Sequence, residues 1–229
     1  MECAKCDGTG FVLKIDAEGR AIAAKCECRE KMITEIRLRA SGISEAFRKK
    51  TLDNFETKGN ELLTKAKGIA EDYIKTFKEI EHTGRNSAMF LGNPGSGKTH
   101  LSLAIGNGLL NEHGVSCLYM PFREEMMKLK QLAREDKYKY EEEMYKLTTA
   151  RLLIIDDLYK GSISEADINY VFQIINQRYL NQLPFVASSE KSLNDLLNID
   201  EAIASRMLEQ AKGHSIMIND KKLNHRLYG

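Results

Sequence analysis

Ser87-Ala88-Met89-Phe90-Leu91 runs into Gly92-Asn93-Pro94-Gly95-Ser96-Gly97-Lys98-Thr99, and the reading of this stretch decides the fold. A short apolar run stops at Gly92. A glycine-rich turn follows, and Lys98 and Thr99 open an apolar helical stretch from Leu101 to Leu110. The spacing is G-x-x-x-x-G-K-[ST] between a strand and a helix, the setting in which such a loop cradles phosphate. Gly92, Gly95 and Gly97 let the backbone bend tightly and bring its N–H groups close to phosphate oxygens. The helix that starts near Gly97 adds its positive dipole end. Lys98 brings a mobile charge for the outer phosphates, and Thr99 a hydroxyl for Mg²⁺. Gly92, Asn93, Pro94, Gly95, Ser96, Gly97, Lys98, Thr99 and His100 are the candidate contacts for ATP or ADP.

Such a loop needs an acidic partner downstream, and Leu152-Leu153-Ile154-Ile155-Asp156-Asp157-Leu158 supplies one. The continuous apolar run reads as a buried parallel strand, and its two acids emerge at the ligand edge. Asp156 is expected to orient the magnesium shell, as a Walker B acid does, and Asp157 to position or deprotonate the attacking water. The next strand ends Ala187-Ser188-Ser189-Glu190. Ser189 is the candidate to reach the γ-phosphate or its water; a hydroxyl capping the next helix is the other reading.

Between and around these motifs, strands alternate with helices. Strands are expected at Ser87–Leu91, Val115–Met120, Arg151–Ile155, Pro184–Ser188 and Ser215–Asn219. Helices are expected from Lys98 to about Glu112, across Glu124–Leu147, over Glu165–Asn181, and in pieces within Leu193–Ala211. An amphipathic helix over residues 60–81 precedes the first strand. Alternation of this kind predicts an α/β fold, a parallel sheet covered on both faces, with ligands at the carboxyl ends of its strands. Residues 56–229 are read as this ATPase domain.

Residues 1–55 are read as a small module with a linker. Cys3-x-x-Cys6 and Cys26-x-Cys28 flank a predicted hairpin, Phe11–Ile15 returning through Arg20–Lys25. Four thiolates brought together in this way suit a closed, structural Zn²⁺ site, and metal binding would supply the folding energy of so small a unit. Cys117 lies alone in an apolar strand and reads as a buried small hydrophobe. A helix is expected over Lys31–Ser41. The basic residues Arg37, Arg39, Arg48, Lys49 and Lys50 read equally as a solvated helix face or a nucleic-acid contact.

The chain has 229 residues, 42% of them hydrophobic and 29% charged, with a net charge of +1. That balance excludes a bulk basic field, so any nucleic-acid contact must be a local patch. No apolar run approaches the roughly 18–20 residues that span a bilayer, and Met1-Glu2-Cys3-Ala4 opens no apolar signal region. No membrane partner is expected, and a cytoplasmic location is.

Taken together, the cysteines with Gly8-Thr9-Gly10, the segment from Ser41-Gly42-Ile43 to Phe55, Gly92–Thr99, Leu152–Leu158, Ser188-Ser189 and Ala204-Ser205-Arg206 resemble bacterial and phage helicase-loader ATPases of the DnaC/DnaI type, in the AAA+ class. The resemblance covers nearly the whole chain. It implies a five-stranded sheet in the order 5-1-4-3-2, an N-terminal module that grips the replicative DNA helicase, and an ATPase domain that contacts single-stranded DNA. It also implies that Ser189 lies near the first sensor position and that Arg206 is an arginine finger, although spacing alone reads Arg206 as a surface residue. Arg226 stands where a second sensor would be sought. The implied activity is a weak ATPase that rises on self-association. An ATP-dependent transposition helper of the IstB type shares this core and is the alternative; the cysteine module favours the loader. A metabolic P-loop kinase would need a substrate pocket and a lid, which no stretch of the sequence suggests.

Overall fold

A computed structural model describes residues 3–15, 19–29, 48–220 and 223. Contacts divide the chain into two units, residues 1–40 and residues 41–229. The expected helix at Lys31–Ser41, the basic Arg37 and Arg39, and Arg226 lie outside the described residues.

In the small unit, β1 (Phe11–Ile15) and β2 (Ala21–Lys25) pair antiparallel, Phe11 opposite Lys25 and Ile15 opposite Ala21. The described strand residues are largely exposed, including Leu13 at 81% and Ile15 at 77%. The hairpin therefore has little apolar core, and the buried residues among those described here are Cys6, Gly10 and Cys26.

The large unit is built on five parallel strands. These are β3 (Ala88–Gly92), β4 (Cys117–Pro121), β5 (Leu152–Asp156), β6 (Phe185–Ser189) and β7 (Ser215–Ile218). Their order is β4-β5-β6-β3-β7. Counted within this sheet alone, that is the 5-1-4-3-2 arrangement. Each of β3, β5 and β6 is buried along its whole length, and their side chains alternate between two cores. Ala88, Phe90, Leu152, Ile154 and Val186 face α1 (Glu61–Ile80) and α2 (Lys98–His113). Met89, Leu91, Leu153, Ile155 and Ala187 face the helices of the opposite layer. The result is a three-layer α/β/α domain.

Capping explains where helices start. Asn60 accepts hydrogen bonds from the N–H groups of Leu62 and Leu63 at the head of α1. Ser164 and Asp167 form a capping box at α5 (Glu165–Leu180). The stretch Glu124–Leu147, expected as one helical region, is broken by an aspartate, and the pieces expected within Leu193–Ala211 are divided by another. Asp136 is extended, at φ −153°, and separates α3 (Phe122–Glu135) from α4 (Lys137–Thr149), which it caps through the Lys139 N–H. Asp200, at φ −160°, likewise separates α6 (Leu193–Ile199) from α7 (Glu201–Gln210) and caps the second through Ile203. A side chain that accepts a backbone N–H favours the turn over one more helical residue.

Residues 48–55, expected as part of a linker, pack onto α2 instead. Asn107 donates to the Lys50 carbonyl, 2.7 Å, and His100 Nε2 is 2.9 Å from the Thr51 carbonyl oxygen. Among the described residues no helix is long and apolar enough to cross a membrane.

Candidate functional site

The loop between β3 and α2 holds the geometry its letters predict. Gly92 has φ +126°, and a Cβ there would lie 2.2 Å from the Ile218 carbonyl oxygen of β7, so no other residue fits. Gly97 has φ +87° and caps α2, with the Phe55 ring 2.6 Å from where its Cβ would stand. Ser96 Oγ and Lys98 Nζ both donate to the Asn93 carbonyl, at 2.8 and 2.7 Å. Lys98 is 5% exposed, and burial pulls its ammonium below the usual lysine range, opposed by Glu190 and Asp157. A buried cation with a weak carbonyl partner is a ready acceptor of phosphate charge.

Asp156 closes β5 and is buried. Its Oδ1 accepts from Thr99 Oγ1 at 2.8 Å and from Ser188 Oγ at 2.5 Å, and its Oδ2 accepts from the Tyr119 hydroxyl at 2.8 Å. The Thr99–Asp156 pair joins the two motifs across 57 positions of sequence. Hydroxyl and carboxylate oxygens suit a hard cation, so the donor set fits Mg²⁺. Asp157 follows in the left-handed region, φ +55°. Its N–H donates to Ser188 Oγ, 2.9 Å, and its Oδ2 is 2.6 Å from Lys160 Nζ. Lys160 also lies 3.4 Å from Glu190 Oε1. The hydrogen bond to Asp157 raises the lysine's pKa against the opposing effect of burial, so the ammonium is held charged.

These groups open onto a cleft of about 530 Å³. Its lining is mixed: Gly95, Ser96, Lys98 and Thr99 of the phosphate loop with the acids Asp157 and Glu190, Lys50, Asn54 and Glu56 from the preceding segment, and the apolar Phe55, Leu63, Leu103 and Leu223. Polar groups for phosphates together with apolar side chains for a base, in a cleft of this size, suit a nucleotide. His100 also lines the cleft. Its ring stands edge-on to Phe55 at 5.2 Å, and burial lowers its pKa, so the neutral ring props the 51–55 segment.

Two expected residues stand elsewhere. The Ser189 hydroxyl is buried on the other side of β6, donating to the Leu158 carbonyl at 2.6 Å and accepting from the Lys191 N–H at 3.1 Å. It is Ser188, one position earlier, that reaches Asp156 and Asp157. Arg206 on α7 is absent from the cleft wall. Its Nη1 donates to the Ala202 carbonyl, 2.7 Å, and its guanidinium lies 5.6 and 5.7 Å from the rings of Phe172 and Tyr179, in a separate surface hollow. Sequence reading also missed Tyr119 and Phe55. Both sit in runs that read as plain strand or linker.

In the small unit, the Sγ atoms of Cys3, Cys6, Cys26 and Cys28 all lie within 4.8 Å of one another. Cys3–Cys26 is 3.8 Å and Cys6–Cys28 is 3.4 Å. A tetrahedron of Zn–S bonds of about 2.3 Å has edges of about 3.8 Å, so the four thiols fit zinc. Left-handed Asp7, Gly8 and Gly10 turn the chain beneath the cluster, and the Gly10 N–H donates to Cys6 Sγ, 3.3 Å.

Residues 24–228 match the family of IstB-like ATP binding proteins. The chain is 38% identical to the uncharacterized protein YqaM of Bacillus subtilis (strain 168), over 89% of this chain and 66% of that protein. It is 32% identical to the phage-like element PBSX protein XkdC of the same strain, over 100% of this chain and 87% of that one. The replicative helicase loader DnaC of Buchnera aphidicola is 26% identical over 82% of this chain and 74% of its own length. Among solved structures, DnaI superposes with a TM-score of 0.64 at 21% identity, covering 78% of this chain and 93% of that one. The DnaC helicase loader superposes at 0.61 and 22% identity, covering 78% and 100%. At these identities, the structural likeness establishes a shared fold.

Proposed function

The chain belongs to the IstB-like ATP binding protein family, of the AAA+ class that includes DnaC, and from that membership we propose that it is an ATP-dependent loader of a replicative DNA helicase onto single-stranded DNA. Nucleotide binding rests on one observation, the Thr99–Asp156 hydrogen bond that joins the phosphate loop to the acid of β5. Lys98 would take the outer phosphates, and Asp157 would hold the attacking water. Mg²⁺, when bound, offsets the phosphate charge. Because Thr99 gives its proton to Asp156, its oxygen lone pairs remain for the metal. Asp157 is tied to Lys160, which supports slow turnover in the isolated protein. Arg206, away from the cleft, is proposed to act on a neighbouring copy's nucleotide when copies assemble.

What favours a loader over a transposition helper is the four-cysteine unit ahead of the ATPase unit, proposed to hold Zn²⁺ and to dock the helicase. The family's name keeps the transposition helper as the second reading. Proteins that act on the replisome work in the cytoplasm, where clustered thiols are metal ligands more often than disulfides. Co-purification with the host replicative helicase, with and without ATP, is the test. Retention of the helicase that depends on the cysteine unit supports the loader. No retention under either condition, with the protein folded and nucleotide-loaded, overturns it.

A further inference from the structure

The Asp156 carboxylate is held by three hydroxyls from three different elements, and one of them, that of Tyr119, lies in none of the motifs singled out in the sequence. Thr99 comes from α2, Ser188 from β6 and Tyr119 from β4. Thr99 and Ser188 both bind Oδ1. The Tyr119 hydroxyl, 2.8 Å from Oδ2, gives the other oxygen a partner of its own, so rotation of the carboxylate about its Cβ–Cγ bond is opposed at both oxygens.

The placement of Tyr119 follows from the sheet. On β4 it lies opposite Ile154 of β5, two positions before Asp156, and the side chains of Tyr119, Ile154 and Asp156 share the face toward α1 and α2. The ring packs against that core, so the hydroxyl is delivered by a rigid strand. A phenol keeps its proton at neutral pH, so it donates to the carboxylate.

We infer that Tyr119 is a positioning residue for the magnesium acid: it locks the Asp156 carboxylate so that the Thr99 hydroxyl stays engaged and its lone pairs stay available to the cation. This rests on the reading of the cleft as a magnesium–nucleotide site. Groups that orient metal-binding side chains are typically worth about 10–100-fold in metal affinity. Loss of a single hydroxyl belongs at the lower end of that range.

The experiment is Tyr119→Phe in the full chain, which keeps the ring and deletes one oxygen. Binding of a fluorescent, non-hydrolysable ATP analogue is followed while Mg²⁺ is titrated, and again in EDTA. Thermal unfolding is recorded for both proteins. The expected result is a magnesium midpoint about 10-fold higher in the variant, with metal-free nucleotide binding and the unfolding midpoint unchanged. Equal magnesium midpoints overturn the role of Tyr119 while leaving the site reading intact. An equal loss of binding in EDTA overturns it too, since the tyrosine then acts through the loop or the fold. A parent protein whose nucleotide binding ignores Mg²⁺ overturns the inference together with the site reading. Manganese bound to the protein–nucleotide complex, read by its magnetic resonance signal, checks the same midpoint without catalysis.

Discussion

The two candidate sites in this chain are built on opposite plans. The cysteine cluster is complete within a unit of 40 residues: four thiols converge within 4.8 Å, and the strands beside them bury almost nothing. The nucleotide cleft is carried by a sheet with a core on each face, yet its described cations are unevenly placed. Lys98 and Lys50 line the cleft, Lys160 is paired with Asp157 and Glu190, and Arg206 lies in a different hollow. A ligand would hold the first site together, whereas the second is already held together by the sheet and its two cores. On the proposed reading, the difference separates a site whose metal would be structural from one whose chemistry would be controlled by assembly.

The largest expected effect breaks the first half of that comparison. Cys26→Ser removes one of four ligands, and structural Zn²⁺ in such small units contributes an apparent 10–16 kcal/mol, about the whole of their folding energy. The variant should be isolated without zinc, and its residues 1–40 should become protease-sensitive. The ATPase unit, whose strands are buried without any metal, should keep its unfolding midpoint and its nucleotide affinity. Metal analysis and limited proteolysis decide it. Parent protein purified without chelator and free of zinc would refute the metal site. A loss of ATPase-unit stability in step with the metal would refute the independence of the two units.

The second effect sharpens the other half. An arginine finger contributes roughly 10³–10⁵ in rate, and Arg206 is not on the cleft wall of its own chain. Arg206→Ala keeps an intact cleft without a finger, and Asp157→Asn keeps a finger beside an impaired cleft. Each alone should be nearly inactive when assembled on DNA or helicase, and an equal mixture should regain part of the activity. Full activity of assembled Arg206→Ala would make the arginine a surface residue, as its spacing alone reads. Intact assembly with no recovery on mixing would exclude action between subunits.

How much of this was legible in the sequence follows from distance along the chain and from strand parity. The phosphate loop is contiguous, so Gly92 to Thr99 carry their own context, and Asp156 is marked by the apolar run it ends. Ser188 and Ser189 show where legibility stops. In a strand, alternate residues face opposite ways. Ser188 pairs in register with Phe90 and so faces the α1 and α2 side, as Asp156 does; Ser189 faces the other core. Choosing between adjacent serines needs the register of β6 against β3, which no local pattern contains. Tyr119 is hidden for the same reason, since its partner is 37 positions away. The 48–55 segment read as linker because nothing local announces that its carbonyls are taken up by Asn107 and His100 of α2. Arg206 carries a role only by resemblance, and its surroundings, Ala202, Phe172 and Tyr179, are those of an ordinary surface arginine.

The smallest effect tests whether the cleft is restrained as well as incomplete. The Lys160 ammonium lies 2.6 Å from Asp157 Oδ2 and 3.4 Å from Glu190 Oε1. A cation at that distance fixes the direction of the carboxylate, which works against the proposed turning of Asp157 to a water. The pair is partly exposed, at 38% and 32% for the two side chains, so its strength is that of a surface ion pair, up to about 1 kcal/mol. Releasing it should raise the basal turnover of the isolated protein by about 2- to 5-fold in Lys160→Ala, with little change in Lys160→Arg, which keeps the charge. Glu190 competes for the same ammonium, so Glu190→Gln should leave Lys160 to Asp157 alone and lower the basal rate. Steady-state phosphate release at saturating ATP measures all three. A fall in rate in Lys160→Ala would reverse the assignment: the lysine would then hold Asp157 in its working position, and the restraint on the isolated protein would rest on the missing finger alone.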